Sequence, residues 1–329
     1  MRAFLVRQFG SPATGAIAEL PDPVPGPHDL LVDVHAAPVN FVDLLAIAGK
    51  YQFIPALPFI PGKGPAGVVA AVGDSVRGFT VGDRVLAMAE YGGYAEKVMA
   101  PEIQCYRLPE GMPFADAAAM SLAFDTAWFA LKERARYASG ESVLVLGASG
   151  AVGYAAIQLA KALGARVLGA VSSPGKAELV TAAGADAIID LSRPNLRDSL
   201  REQVYAEMQG RGVDIVLDPI GGDGFAAAIR ALAWCGRLVV IGFAAGDIPT
   251  LKVNYLLLKN IEVSGLQISD YRRKAPLRVA ECFAEIFALY AAGKLRAPPV
   301  TRFPLEDCAR ALERVQNRAS SRVILERGV

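Results

Sequence analysis

The chain has 329 residues, 53% of them apolar and 20% charged, with a formal net charge of +1. That length exceeds one ordinary hydrophobic core, so two domains are expected, and the composition is that of a compact globular protein rather than a disordered one. A charge so near zero gives no electrostatic ground for nucleic acid or an anionic membrane as a partner.

The opening MRAFLVRQFG has no sustained apolar stretch and no small-residue cleavage site, so it reads as no signal peptide. Apolar runs are broken by Pro, Gly or charges such as Lys161 and Arg166, and none is expected to span a bilayer. Cys105, Cys235, Cys282 and Cys308 lie far apart with no CxxC pair. That pattern reads as reduced thiols in a cytoplasmic protein, not as a zinc ribbon or a redox dithiol.

Residues 1–120 are rich in Pro and Gly. LLVDVHAAPV alternates apolar and polar positions as a half-buried strand does, and GVVAAVG and DRVLAM are further short strands. Turns at PDPVPGP, PGKGPAG and EYGGY separate them, which predicts a compact, partly open β-barrel. The character changes at FADAAAMSLAFDTAWFALKERA, a helical pattern that opens at Phe114. Strands and helices then alternate: SVLVLG, AVGYAAIQLAKALG, ARVLGAV, GKAELVTAAG, AIIDL, a polar helix over 196–208, VDIVLDPIGG, the helix FAAAIRALAW, and GRLVVIG. The order predicts a doubly wound α/β domain with a parallel sheet over 121–263. The segment 264–329 carries the helix CFAEIFALYAAGKL and closes on the strand-like RVILER; no internal repeat is visible.

The most informative stretch follows SVLVLG. Gly147, Gly150 and Gly153 stand at intervals of three, and a helix starts at once with Ala151 and Val152. Between a strand and a helix, such glycines allow a tight turn and let the backbone approach a diphosphate, while the helix N-terminus offers free N–H groups. The alternative is a tight turn without a ligand. The next strand ends in Ala170-Val171-Ser172-Ser173 with no carboxylate to bind ribose hydroxyls, and Lys176 follows. Hydroxyls and a cation suit a 2′-phosphate, which favours NADPH over NADH; a solvated Lys176 is the alternative.

These motifs resemble the medium-chain dehydrogenase/reductase superfamily, in its zinc-free quinone oxidoreductase branch. The resemblance covers nearly the whole chain. It rests on VNFVDLLAIAGKY, PGKGPAGVVAAVG, GDRV, GGYAE, GASGAVG, SSPGK, DPIGG, VVIGFAAG and LLLKNIEVSG in that order. It implies a GroES-like catalytic domain over 1–120, interrupted by a Rossmann domain over 121–263 and completed by 264–329. It further implies an active site in the cleft between the domains and a homodimer formed through nucleotide-domain edge strands near GRLVVIG.

The zinc alcohol dehydrogenases of that superfamily carry Cys where this chain has Asn40, and Gly-His-Glu where it has Gly62-Lys63-Gly64. His28 and His35 have no carboxylate or cysteine at ligand spacing, so no tetrahedral zinc site is expected. Without a Lewis acid, hydride transfer to an already electrophilic carbon remains feasible, as in quinones and α,β-unsaturated carbonyls.

By resemblance, Asn40 and Tyr51 are hydrogen-bond donors beside the substrate; the alternatives are a turn asparagine and a packed tyrosine. Lys63 would stabilise the developing oxyanion in place of a metal, or else is a solvent-facing loop lysine. Leu45 and Ile47 replace polar residues of some relatives and predict a more apolar pocket. On the cofactor side, the resemblance points to Thr126 near the carboxamide, Gly242 and Phe243 beside the nicotinamide ring, and Arg318 on the phosphate side. Leu191 removes one phosphate contact made in some relatives. Two further readings stay open: an enoyl-thioester reductase, whose acyl-carrier tail the run Tyr271-Arg272-Arg273-Lys274 would hold, and a non-catalytic NADPH-binding structural or regulatory protein.

Overall fold

The computed structural model describes residues 1–317 and 321–328. The chain divides into two compact units. One comprises Met1–Leu122, Tyr271–Phe287 and Arg296–Val329, and the other Ala123–Asp270 and Ala288–Leu295.

The first unit opens with β1 (Arg2–Val6), β2 (Gly15–Glu19), β3 (Asp29–Pro38), helix α1 (Phe41–Ile47), β4 (Ala66–Val72), β5 (Arg84–Ala87), β6 (Lys97–Pro101) and β7 (Cys105–Arg107). Helix α2 (Phe114–Trp128) then carries the chain into the second unit. The ten-residue β3 organises this unit. It runs antiparallel to β4 from Leu30 to Ala36, to β6 from Asp29 to Asp33, and, past β6, to the last strand of the chain through Ala36, Ala37 and Pro38. Its alternation places Leu30, Val32 and Val34 in one core with Phe4, Val69, Val85 and Val98. Gly67 of β4 has no room for a side chain, because a Cβ there would lie 1.9 Å from the Asp33 carbonyl oxygen.

The second unit is built on a six-stranded, all-parallel sheet. Its elements are β8 (Ser142–Val145), α3 (Ala151–Ala162), β9 (Arg166–Val171), α4 (Ala177–Ala182), β10 (Ala187–Asp190), α5 (Leu196–Glu207), β11 (Val213–Asp218), α6 (Gly222–Ala231), β12 (Leu232–Val240), α7 (Asn254–Lys259) and β13 (Glu262–Gly265). The strand order is β10-β9-β8-β11-β12-β13. The order reverses direction between β8 and β11, the place where such sheets open a crevice at their carboxyl ends. Buried continuous apolar runs, such as Val143–Leu146 and Ile215–Leu217, are what a parallel sheet covered on both faces requires.

The chain returns through α8 (Ile268–Lys274), α9 (Pro276–Ala291), β14 (Val300–Phe303), α10 (Cys308–Gln316) and β15 (Arg322–Glu326). The last strand pairs with β14 in parallel and with β3 antiparallel, so the end of the sequence joins the sheet that β3 organises.

Two sequence expectations are corrected. GRLVVIG is not an edge strand: β12 lies between β11 and β13, and the free edges are β10 and β13. Pairing order depends on contacts between distant segments, which apolar periodicity does not encode. The helix expected to run through Ala233 and Trp234 stops at Ala231. The next residues enter β12, where the register slips between Leu232 and Arg237, Cys235 takes a left-handed φ of 62°, and Trp234 stands 75% exposed. All four cysteines are free, and only Cys235 is exposed. No helix of the described residues is long and apolar enough to cross a membrane.

Candidate active site

In the first unit, the end of β3 delivers Asn40 to the start of α1. Asp43, three residues on, reaches back and accepts the Asn40 backbone N–H at 2.9 Å, the reciprocal half of a capping box. The same carboxylate oxygen accepts the Tyr94 hydroxyl at 2.7 Å. Asp43 is buried, and burial pushes its carboxyl above the usual range against the pull of the Tyr94 hydroxyl and Lys63. The Asn40 amide is held inside the chain. Its nitrogen donates to the Pro38 carbonyl at 3.3 Å and the Lys63 carbonyl at 3.4 Å, and its oxygen accepts from Arg322 of β15. Asn40 thereby ties α1, the Lys63 loop and β15 together, and its amide is already committed to these partners.

Lys63 follows a Pro-Gly turn in which Gly62 has φ 101° and Gly64 φ 69°. A Cβ on Gly62 would sit 2.7 Å from the Tyr94 backbone nitrogen, so this loop packs against the Tyr94 segment only with glycine there. Lys63 is 1% exposed, which overturns the solvent-facing alternative. Its ammonium pairs with Glu90 and lies 5.0 Å from the Tyr51 ring centre and 4.6 Å from that of Tyr91. Glu90 also accepts Arg272 of α8 at 3.3 Å. The Tyr91 hydroxyl donates to the Phe53 carbonyl, and burial pushes its phenol up to about 12. An ammonium so enclosed has no open face for a substrate oxygen. Tyr51, Tyr91 and Glu90 are each half-buried around it.

Sequence reasoning missed Glu90, Tyr91, Arg272, Asp43 and Arg322. One signal was available: Lys63 is the single charged or polar residue between Ile54 and Ala71, so the segment that carries it is otherwise apolar. Ile47, expected to line a pocket, lies in the hydrophobic core. Within the basic run at the end of α8, Arg272 is 3% exposed on Glu90, whereas Arg273, 4.5 Å over the Phe53 ring, and Lys274 are exposed.

In the second unit, β8 turns into α3 at Gly147, whose φ is 58°. The Gly150 N–H closes the turn on the Gly147 carbonyl at 2.9 Å. A Cβ on Gly153 would lie 2.3 Å from the Gly147 oxygen, and one on Gly147 would lie 2.8 Å from Ile220. The first intrahelical bond runs from the Tyr154 N–H to the Gly150 carbonyl, and no side chain caps the helix. The N–H groups of Ala151, Val152 and Gly153 therefore face outward from a positive helix end, as a diphosphate requires.

Beside this turn, Asp218 ends β11. One carboxylate oxygen accepts the Ile220 and Gly221 N–H groups at 2.9 Å each, while the other is buried without a partner. Burial pushes this carboxyl up. Phe243, just after β12, borders Gly221, and the Gly242 N–H reaches the Asp218 carbonyl at 3.4 Å. The fold thus gathers Gly147, Gly150, Ala151, Val152, Gly153, Gly242 and Phe243 at the carboxyl ends of β8, β11 and β12.

Ser172 and Ser173 follow neighbouring β9 and lead into a single turn of 3-10 helix, Pro174–Lys176, with no carboxylate at the strand end. A glycine cradle that admits no Cβ, beside unused helix N–H groups, fits a dinucleotide. Thr126 is buried in α2 and donates to Asp125 at 3.3 Å. Arg318 lies outside the described residues. Among the described residues no group of three or more His, Cys, Asp or Glu side chains is placed to hold a metal ion. His35 sits in β3 with its ring 4.5 Å from that of Phe114, and His28 is exposed.

Two family models match the chain: an alcohol dehydrogenase GroES-like domain over residues 26–110 and a zinc-binding dehydrogenase domain over residues 151–285. The quinone oxidoreductase of Mus musculus is 35% identical over 319 residues, spanning 95% of this chain and 93% of the relative. Among solved structures, a quinone oxidoreductase of Pseudomonas syringae pv. Tomato DC3000 superimposes with a TM-score of 0.90 at 30% identity, with 99% of each chain covered. A mycobacterial protein solved in complex with NADPH superimposes with a TM-score of 0.89 at 30% identity, over 99% of this chain and 100% of that one.

Proposed function

Because the chain belongs to the quinone oxidoreductase branch of the medium-chain dehydrogenase/reductase superfamily, we propose that it is an NADPH-dependent reductase of quinones or α,β-unsaturated carbonyls that needs no zinc. The observation that carries this reading is the cradle at the end of β8, next to a β9 terminus that offers Ser172, Ser173 and Lys176 in place of a carboxylate. When bound, the dinucleotide supplies a hydride. The backbone N–H groups of Ala151, Val152 and Gly153 hold the diphosphate. Ser172, Ser173 and Lys176 hold the 2′-phosphate through charge-assisted hydrogen bonds. Phe243 and Gly242 border the nicotinamide, and Thr126 serves its carboxamide. Tyr51 donates to the oxygen that gains charge as the substrate is reduced. Asn40, with its amide committed within the chain, fixes the Lys63 loop rather than the substrate.

The test is NADPH oxidation with 1,4-benzoquinone, 9,10-phenanthrenequinone and a simple enone, on protein dialysed against a chelator, with NADH in parallel. Turnover that survives chelation and prefers NADPH is expected. Lys176→Glu is expected to raise KM for NADPH by about tenfold or more, the scale of one lost charge-assisted bond, and to leave NADH nearly untouched. Equal losses with the two cofactors would remove Lys176 from the phosphate site. Tight NADPH binding without turnover of any acceptor would instead favour the non-catalytic reading. The thioester reading keeps only part of its expected tail site, because Arg272 is buried on Glu90 while Arg273 and Lys274 stand exposed. The protein is further proposed to pair as a homodimer along the free β13 edge, continuing the six-stranded sheet. Sedimentation at micromolar concentration checks this, and a monomer there would refute it.

A further inference from the structure

Lys63 is an expensive residue in its place. A lysine is almost never withdrawn fully from water unless it is paired. Its pairing with Glu90 is a weak source of stability, since desolvating two ions offsets most of their attraction, and a methionine would fill the same volume without that cost. The surroundings also hold the ammonium at one point. Glu90 is itself anchored by Arg272, and the Tyr91 ring is fixed through its hydroxyl on the Phe53 carbonyl. The remaining contact is the face of the half-buried Tyr51 ring.

We propose that Lys63 is a positioning residue that acts through Tyr51: its ammonium, clamped by Glu90, supports the negative charge that grows on the Tyr51 phenolic oxygen as that tyrosine gives its proton to the reduced substrate. The inference rests on the reading of Tyr51 as the donor. In the enone case the hydride and its electron pair form a C–H bond at the β-carbon. The C=C electron pair shifts to join the α-carbon to the carbonyl carbon, and the C=O π pair moves onto the oxygen. The Tyr51 O–H bond breaks as its proton bonds to that oxygen, and the phenolate regains a proton from water. One hydride and one proton are consumed. The ammonium faces a neutral ring before the transfer and an anion during it, so its attraction grows toward the transition state.

Nitration of Tyr51 by tetranitromethane, read by peptide mass spectrometry on the full chain at about pH 8, tests this without turnover, because the reagent attacks the phenolate. Lys63→Met, and Lys63→Gln as a second neutral variant, are expected to slow nitration of Tyr51 at least about threefold, and Lys63→Arg to restore it. Loosened packing would expose the ring and speed nitration, so a purely structural lysine gives the opposite sign. Unchanged or faster nitration in the neutral variants overturns the proposal.

With phenanthrenequinone and NADPH, Lys63→Met is expected to lower kcat about tenfold with KM for NADPH unchanged, and to cost nothing further in a Tyr51→Phe background. The same loss in both backgrounds overturns it too. A wild-type protein that oxidises NADPH with no acceptor refutes the reductase reading, while the nitration result still decides the coupling of Lys63 to Tyr51.

Discussion

Gly153→Ala is expected to abolish tight NADPH binding, the largest single effect foreseen for this chain. The added Cβ would stand 2.3 Å from the Gly147 carbonyl oxygen and 2.8 Å from the Ala148 Cα. Both are backbone atoms, so neither can swing aside as a flexible side chain would. Helix α3 must lift from the turn, and the turn must open. Overpacking of this kind costs about 1–3 kcal/mol in a packed interior. The shift also moves the N–H groups of Ala151 and Val152 away from where a diphosphate would sit, so the loss in affinity exceeds the loss in stability. A fluorescence titration with NADPH is expected to show Kd raised by about a hundredfold or more, at about 1.4 kcal/mol per decade. Gly150→Ala is the internal comparison. Its Cβ would meet only the Gly147 oxygen, at 3.2 Å, and its φ is −76°. It is expected to bind within about tenfold of wild type. A native Kd for Gly153→Ala would remove the glycine cradle from the cofactor site.

Asp43→Ala is expected to be the most destabilising change in the first unit. One carboxylate oxygen of Asp43 accepts both the Asn40 N–H and the Tyr94 hydroxyl, and alanine orphans both donors in a buried place. Each orphaned donor costs about 1–3 kcal/mol. Asp43→Asn keeps an oxygen for these donors and is expected to lose less than half as much. The two variants also differ in pH dependence. Burial raises the folded-state carboxyl of Asp43 above its unfolded value, so folding favours the protonated form. The stability this group contributes is therefore complete below the unfolded value, about 3.9, and is lost as pH rises through the folded one. The deficit of Asp43→Asn against wild type should be smaller at neutral pH than below about pH 4, because the neutral amide has no charge to desolvate. Urea midpoints at the two pH values measure it. A deficit that widens with pH would mean that the Lys63 attraction, not burial, governs this carboxylate.

Much of the second unit was legible along the chain. Strands such as Ser142–Val145, helices such as Ala151–Ala162 and the glycines at 147, 150 and 153 follow from local rules: apolar period, helix propensity, and the dihedral freedom that a tight turn demands. The strand end at Ser172 and Ser173, with Lys176 beyond, was equally plain, because a missing carboxylate is read directly from residue order.

The site in the first unit was not legible in that way. PGKGPAG and EYGGY were readable as turns, yet nothing within either segment says that they bring Lys63 onto Glu90. Arg272 meets Glu90 across 182 residues, and Arg322 meets Asn40 across 282. The place of β12 inside its sheet, and not at the edge, belongs with these.

The sequence by itself determined the alternating strands and helices, the cradle at Gly147–Gly153 and the polar strand end beside it, since each depends on neighbours a few residues away. Only the tertiary structure decided which strands lie side by side, that Asn40 is bound within the chain, and that Lys63 is a buried cation beneath a tyrosine. Burial and ion pairing are properties of what surrounds a side chain in space, and in this unit the surroundings of Lys63 and Asn40 come from opposite ends of the sequence.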